Sequence, residues 1–301
     1  MRGVAEGAGV EYEKVLFSNI FLDVVSAHWV GVAPSCSNFV ALPGATKNGD
    51  VVHGRNLEWT NDPKVAAMNT VFFYSPADGV PFVALGWPSI VGTLTGMNVE
   101  QISMGEMTSM SSEASLEGVP IMILLRMLLE TSKSLDDAYK VLADNPRTTG
   151  YNVVVADGEA RDAFAVEMSA QNIFRQGPKD GFVFRTNHYT HPKLRETQMK
   201  YLHMFYKGKK SDTFFRYDRY AQLLAENTGK IDAQSAQAVL GDKFDPIAGK
   251  VSGDLENTIC SDNTLQSAVM LPQTGEIYVA IKTLPAPDGG YVRLKLETSG
   301  K

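Results

Sequence analysis

The sequence predicts an α+β fold built on antiparallel sheets. Strand-like and helix-like runs come in groups, strands, then helices, then strands again, without the regular alternation that feeds a parallel sheet. Two pairs of strand-like runs are joined at Asn48-Gly49 and Asp157-Gly158, dipeptides that tolerate the positive φ of a hairpin turn. With 301 residues, 44% hydrophobic and 21% charged, the chain is ordinary globular protein, long enough for one large core or two modest ones.

The elements follow in order. Residues 12–29 have helical spacing, with Leu16, Ile20 and Val24 in one apolar row and Phe17, Phe21 and Val25 in the next. Gly31-Val32-Ala33-Pro34-Ser35 breaks that helix immediately before Cys36. The stretch from Cys36 to Trp59 then reads as a strand, a turn and a return strand carrying Arg55 and Glu58. A tight turn at Asn48-Gly49 would set Arg55 opposite Leu42, well up the ladder from Cys36 but on its face; a bulge in Gly44-Ala45-Thr46 would shift that register.

Residues 69–74, 81–86 and 101–106 are short runs bounded by Pro, Gly and Asn, and read as strands. Two helices follow: the apolar run 119–129, and one with Ser134 as N-cap and Asp137 three residues on, ending before Pro146. Strands are expected over 152–156, 163–168 and 181–189, helices over 216–226 and 233–240, and strands over 265–271, 276–281 and 291–296. No internal repeat or low-complexity segment interrupts them.

Charge and composition remove several functions. A net charge of -6, with no basic stripe, argues against nucleic acid as partner. The run 119–129 is interrupted by Arg126 and is about half of the ~20 residues a bilayer span needs. The first residues lack the pattern of a signal peptide and no Asn-X-Ser/Thr sequon occurs, so cytoplasmic residence is the expectation. The two cysteines, Cys36 and Cys260, form neither a disulfide framework nor a zinc spacing.

A lone cysteine in an apolar strand is most often inert core. Cys260 fits that description, whereas Cys36 follows a Pro-Ser linker and opens its strand. A thiol of pKa ~8.5 needs a helper to ionise near neutrality. His188, in Thr186-Asn187-His188-Tyr189, is the best placed histidine; His28, His53, His191 and His203 have no distinguishing context, and no papain-type signature surrounds the cysteine. The other helper is the amine of Cys36 itself, released if the bond to Ser35 is cut, with a pKa of ~7.7–8.0 suited to a general base. Both remain open on the residues alone. Tyr151 and Asn152 begin a strand and are expected mainly to pack an edge, with substrate contact as the alternative. Asp262 and Asn263 either cap a loop or support the site. Met104, Met107 and Met110 are expected to fill core rather than line an acyl pocket.

Several blocks carry a family resemblance. Cys36 with its Ala45-Thr46-Lys47-Asn48-Gly49-Asp50 turn and Gly54-Arg55-Asn56-Leu57-Glu58-Trp59 return is similar to the nucleophile strand of the cysteine N-terminal-nucleophile (Ntn) hydrolases. These are the choloylglycine hydrolases and penicillin V acylases and, more closely, the isopenicillin-N acyltransferase family. Gly96-Met97-Asn98, Glu117-Gly118-Val119-Pro120, residues 146–152, Thr186-Asn187-His188-Tyr189, residues 216–224 and Asp262-Asn263-Thr264-Leu265 resemble its further blocks in the same order.

The resemblance implies a four-layer αββα sandwich with two antiparallel sheets. It implies residues 1–35 as a helical propeptide or small chain, packed through Leu16, Ile20 and Val24, and 36–301 as the catalytic domain. Self-cleavage between Ser35 and Cys36 would free the nucleophile's amine. Cys36 would be nucleophile, Arg55 would steady the thiolate, Glu58 would hold the ammonium and Asn187 would donate to the oxyanion. Glu58 stands where the bile-salt and penicillin branch usually has aspartate, Thr108 falls where that branch has a second asparagine donor, and the branch's late arginine has no counterpart near Asp262-Asn263-Thr264. His188 and Asn263 are supporting candidates.

The expected activity is hydrolysis, or acyl transfer, of a small-molecule N-acyl amide through a thioester on Cys36, without metal or organic cofactor. The rivals are an unprocessed Cys36/His188 thiol hydrolase and a non-catalytic binding protein on the same fold. The oligomeric state, monomer or homo-oligomer, is not legible.

Overall fold

The computed structural model describes residues 1–28, 35–198, 212–253, 255 and 257–297. The expected helix end at Trp29, the linker residues 31–34 and His203 lie outside them. Helices α1 (Arg2–Ala8) and α2 (Tyr12–His28) precede β1 (Ser37–Ala41), β2 (Val52–Glu58), α3 (Pro63–Ala67), β3 (Thr70–Tyr74), β4 (Phe82–Gly86), β5 (Thr95–Asn98) and β6 (Ile102–Thr108). Next come α4 (Ile121–Thr131), α5 (Leu135–Asp144), β7 (Tyr151–Asp157), β8 (Asp162–Met168), β9 (Ile173–Gln176) and β10 (Phe182–Arg185). The chain ends with α6 (Asp212–Glu226), α7 (Ala233–Leu240), β11 (Phe244–Asp245), β12 (Lys250–Val251), β13 (Thr264–Leu271), β14 (Glu276–Ile281) and β15 (Val292–Lys295).

Two large antiparallel sheets form the centre. One is six-stranded, in the order β10-β1-β2-β13-β14-β15, and the other is the seven-stranded meander β3 to β9. They face each other through β1, β2 and β10 on one side and β6, β7 and β8 on the other. Helices α4 and α5, with α2 against α4, cover the outside of the seven-stranded sheet; α6 and α7 cover the other. This is the four-layer αββα sandwich. Alternation along β1 divides its burial: Val40 joins the apolar layer between the sheets, while Phe39 and Ala41 pack under the α6/α7 layer.

Sequence periodicity locates most elements but misses α1, α3, β5, β9, β11 and β12, which are short, and the strand expected over 181–189 ends at Arg185. Ser134 does cap α5, accepting from Asp137 N at 3.2 Å. Met104 and Met107, three apart in one strand, point to opposite faces and fill two different cores. Strand β7 is interior to its sheet, so Tyr151 and Asn152 are not edge residues.

Helix α2 contradicts the expectation that it packs through Leu16, Ile20 and Val24. Its buried stripe is Val15, Asn19, Leu22, Asp23 and Ser26, while Leu16, Ile20 and Val24 are only half-buried and Phe17 of the neighbouring row is 58% exposed. Asn19 and Asp23 turn inward because both satisfy backbone that would otherwise be stranded. Asn19 Oδ1 accepts from Val91 N at 2.7 Å and Gly92 N at 3.1 Å. Asp23 accepts from Ile121 N at 3.1 Å, from Thr148 Oγ1 and from Tyr151 Oη at 3.0 Å. It therefore caps α4 from outside, where the N-cap residue Pro120 offers no side-chain bond.

Asp23→Ala strands that N–H together with two buried hydroxyls, and is expected to lower stability by about 2–3 kcal/mol. Phe17→Ala, at an exposed position, should stay within about 0.5 kcal/mol. Denaturant unfolding of the two variants checks the contrast; equal losses would contradict it.

Candidate active site

Cys36 lies immediately before β1 and is 2% exposed. The β1–β2 ladder pairs Ser37 with Asn56 and Asn38 with Arg55, a different register from the one a turn at Asn48-Gly49 dictates. The chain reverses earlier instead. Ala45 N and Thr46 N both donate to Leu42 O, at 2.9 and 3.2 Å, and Gly44 supplies a φ of 94° that side chains resist. The shift, of the kind a bulge over Gly44-Ala45-Thr46 gives, brings Arg55 beside Cys36 on the face between the sheets.

Arg55 Nη2 is 3.9 Å from Cys36 Sγ and donates to Glu106 O at 2.7 Å, with Glu106 Oε2 3.8 Å away. Both charged side chains are 1% exposed. No motif marks Glu106. Its one sequence signal is a charge next to Gly105 within the buried run of β6. A Cβ on Gly105 would collide with Asn38 Nδ2 and stand 2.8 Å from Arg55 Cδ, so the missing side chain admits the guanidinium.

Glu58 ends β2 on the opposite face, where the β13 ladder shifts register between Thr264 and Gln266. Its Oε1 accepts from Thr264 Oγ1 at 3.0 Å, and its buried Oε2 has no hydrogen-bond partner among the described residues. Its carbonyl accepts from Ser35 N at 3.1 Å and lies 3.9 Å from Cys36 Sγ.

Arg216, on α6, joins the other half of the site. Its Nη1 donates to Cys36 O at 2.6 Å, Nη2 to Asn187 Oδ1 at 2.9 Å and Nε to Asp212 Oδ2 at 3.1 Å. Asn187 Nδ2 donates to Thr108 O at 2.9 Å, and Thr108 Oγ1 donates to Glu106 Oε1 at 2.8 Å. One network thus links Cys36, Arg55, Glu106, Thr108, Asn187 and Arg216. Arg216 opens one of the sequence blocks, but nothing in the sequence ties it to the cysteine.

The remaining candidates stand further off. His188 Nδ1 bonds Thr186 Oγ1 at 3.1 Å and Thr213 Oγ1 at 3.0 Å, its ring packs on Phe214, and none of its hydrogen bonds among the described residues reaches Cys36. Tyr151 Oη serves Asp23, and Asn152 Nδ2 donates to Thr186 O at 2.8 Å and His188 O at 2.9 Å, bracing the segment that holds Asn187. Asn263 O accepts from Trp59 N at 3.2 Å and its side chain accepts from Ser261 Oγ.

Burial governs the titrations. It pushes the Cys36 thiol up to about 12, against the pull of Arg55, so the sulfur is neutral near pH 7. Burial raises Glu58 to about 7 despite Arg216 and Thr264, and Glu106 to about 7 despite Arg55 and Thr108. His188 falls to about 3, through burial and then the charge of Arg216. Cys260, also buried, is pushed up to about 12.

Beside Cys36 opens an apolar cavity. Phe21 and Leu22 of α2 form part of its wall with Trp59, Trp87, Leu94 and Met122. Phe21 stacks on Trp59 at 5.0 Å between centroids, and Trp87 meets Trp59 edge-on. Its polar lining is Glu106 and Thr108 with the thiol.

Two facing antiparallel sheets between helical layers are the fold of the Ntn hydrolases. The chain belongs to the acyl-coenzyme A:6-aminopenicillanic acid acyl-transferase family, whose model matches residues 45–283, opening after Cys36 and taking in Arg55, Glu58, Glu106, Asn187 and Arg216. An uncharacterized protein of Archaeoglobus fulgidus is 24% identical over 88% of this chain and 49% of its own length. Protein dcd1A of Dictyostelium discoideum is 27% identical over 58% of this chain and 40% of its own. The chain thus spans about half or less of these curated relatives.

Among solved structures, a Caenorhabditis elegans ortholog of N-acylethanolamine-hydrolyzing acid amidase superposes with a TM-score of 0.56 at 16% identity, covering 87% of this chain and 100% of that one. A mutant conjugated bile acid hydrolase of Clostridium perfringens gives 0.57 at 13%, covering 86% and 92%, and penicillin V acylase of Agrobacterium tumefaciens 0.52 at 16%, covering 82% and 83%. The three superposed structures are thus an acid amidase ortholog, a bile acid hydrolase and an acylase, and the family carries the name of an acyl-transferase. No helix among the described residues is long and apolar enough to cross a membrane.

Glu58 makes the stability of the chain depend on pH. Its folded pKa, about 7, lies above the ordinary 4.5, so the folded state binds more protons between those values and loses stability as pH rises through them. In a Cys36→Ala chain, Glu58→Gln should flatten part of that decline when unfolding free energy is measured from pH 4 to 8. An unchanged slope would contradict the assignment.

Proposed function

We propose that the chain is a self-processing thiol amidohydrolase or acyltransferase that acts on linear N-acyl amides through a thioester on Cys36. The observation that carries this reading is the environment of Cys36. An apolar cavity opens at its sulfur, a buried guanidinium stands 3.9 Å from that sulfur, and a buried carboxylate oxygen without a partner lies on the strand end beside its backbone. Cutting the bond between Ser35 and Cys36 creates an ammonium, the group the orphaned Glu58 oxygen lacks. The thiol that burial holds near 12 then gains a base within its own residue.

In the mature form the amine takes the thiol proton and the sulfur attacks the substrate carbonyl. Arg55 favours the thiolate. Asn187 spends one N–H on Thr108 O, which aims the other toward the developing oxyanion. Thr108, whose hydroxyl is committed to Glu106, acts by orienting Asn187. The ammonium returns its proton to the leaving amine, and water or a second amine resolves the thioester. The apolar lining of the cavity supports a hydrocarbon acyl group, and residues 1–35 remain as a small chain contributing one wall.

The test is a panel of N-acyl amides of increasing chain length alongside a penicillin and a bile-salt conjugate, quenched in acid and read by mass spectrometry. An acyl adduct on a fragment beginning at Cys36, formed from the linear substrates, is expected. Asn187→Ala should lower kcat by ~10²–10³-fold. Turnover without any adduct on Cys36, or an Asn187→Ala enzyme at full rate, would overturn the reading.

A further inference from the structure

We infer that Asp212 is a positioning residue for self-cleavage, holding the bond between Ser35 and Cys36 in place by gripping the Ser35 hydroxyl. The inference rests on the self-processing reading above and adds to it a part that the thiol chemistry itself does not require. Asp212 Oδ2 accepts from Ser35 Oγ at 2.7 Å. One turn further along α6, Arg216 Nη1 donates to Cys36 O at 2.6 Å. The two are locked to each other, with Arg216 Nε at 3.1 Å and Nη2 at 3.0 Å from Asp212 Oδ2. A single helix face therefore grips the residue on each side of one peptide bond. A third point is fixed by Ser35 N, which donates to Glu58 O at 3.1 Å.

The reaction this geometry serves balances without a further reagent. Cys36 Sγ bonds to the carbonyl carbon of Ser35, the bond from that carbon to Cys36 N breaks, and the thiol proton ends on the nitrogen. Water then cleaves the thioester, leaving Ser35 with a carboxylate and Cys36 with its thiol and free amine. The attack needs the carbonyl carbon held at the sulfur, and misplacement of about 1 Å can cost ~10²-fold. The hydroxyl of Ser35 has no part in bond making. Its contact with Asp212 restrains rotation of the acyl side of the scissile bond, as Arg216 restrains the amine side.

Freshly synthesised wild type, Ser35→Ala, Ser35→Thr, Asp212→Asn and the double variant are followed by intact mass over time, with Cys36→Ala as the uncleavable control. Ser35→Ala and Asp212→Asn should each slow cleavage by ~10–100-fold, and the double variant should be no slower than the slower single one. Ser35→Thr, which keeps a hydroxyl, should recover most of the rate. Circular dichroism melts of the uncut chains separate positioning from loss of fold, and Ser35→Ala removes only one oxygen.

Wild-type chain that divides while Ser35→Ala and Asp212→Asn divide equally fast overturns the clamp alone. Independent, multiplying effects of the two substitutions also overturn it. Wild-type chain that never divides overturns the self-processing reading and the clamp with it.

Discussion

The site depends on a buried positive charge, the Arg55 guanidinium between the two sheets. Burying an ion is costly unless it is paired and hydrogen-bonded. Here the pairing comes from the opposite sheet: Glu106 supplies both a carbonyl and a carboxylate to one nitrogen, while Nε and Nη1 have no hydrogen-bond partner among the described residues. That incomplete satisfaction leaves the charge available to the sulfur 3.9 Å away. Gly105 makes room for it, and the early reversal at Leu42 to Thr46 sets the register that delivers it.

The strand pleat distributes the other charges. Successive residues of β2 face opposite ways, so Arg55 meets Glu106 between the sheets while Glu58 meets Thr264 on the far side. Cys36, at the mouth of the ladder, lies within reach of both layers. Helix α2 completes the arrangement from a third direction. Asn19 and Asp23 satisfy the backbone of the 91–92 segment and of α4, which leaves Phe21 and Leu22 against the cavity beside the thiol. The polar anchors fix the helix, and the apolar side chains beside them form the wall.

Much of the fold was legible because amphipathic periodicity and turn chemistry are local. The paired hairpin strands follow from runs and breakers within a few residues of each other, and Ser134 caps α5 as its sequence indicates. Of the candidate site, the sequence offers only the residues that a local block carries: Cys36, Arg55, Glu58 and Asn187. Glu106, Asp212 and Arg216, which hold Arg55, Ser35 and the Cys36 carbonyl in turn, come from segments that periodicity cannot bring together. The β1–β2 register escaped because Asn48-Gly49, a strong turn signal, lies within a longer loop whose hydrogen bonds run to Leu42 and Ile231. The buried face of α2 escaped because hydropathy ranks Asn19 and Asp23 as surface residues, whereas unsatisfied backbone on neighbouring segments draws them inward.

On the reading proposed above, the sulfur of Cys36 acquires its reactivity only when the chain is divided before it. The most direct measurement is the pH dependence of alkylation at Cys36, located by peptide mass mapping so that Cys260 does not interfere, on divided and undivided protein. Protein cut between Ser35 and Cys36 should react with a midpoint at or below ~8, the range of an α-amine, while the undivided chain stays unreactive until far higher pH. An undivided chain that alkylates equally fast near neutrality would contradict it.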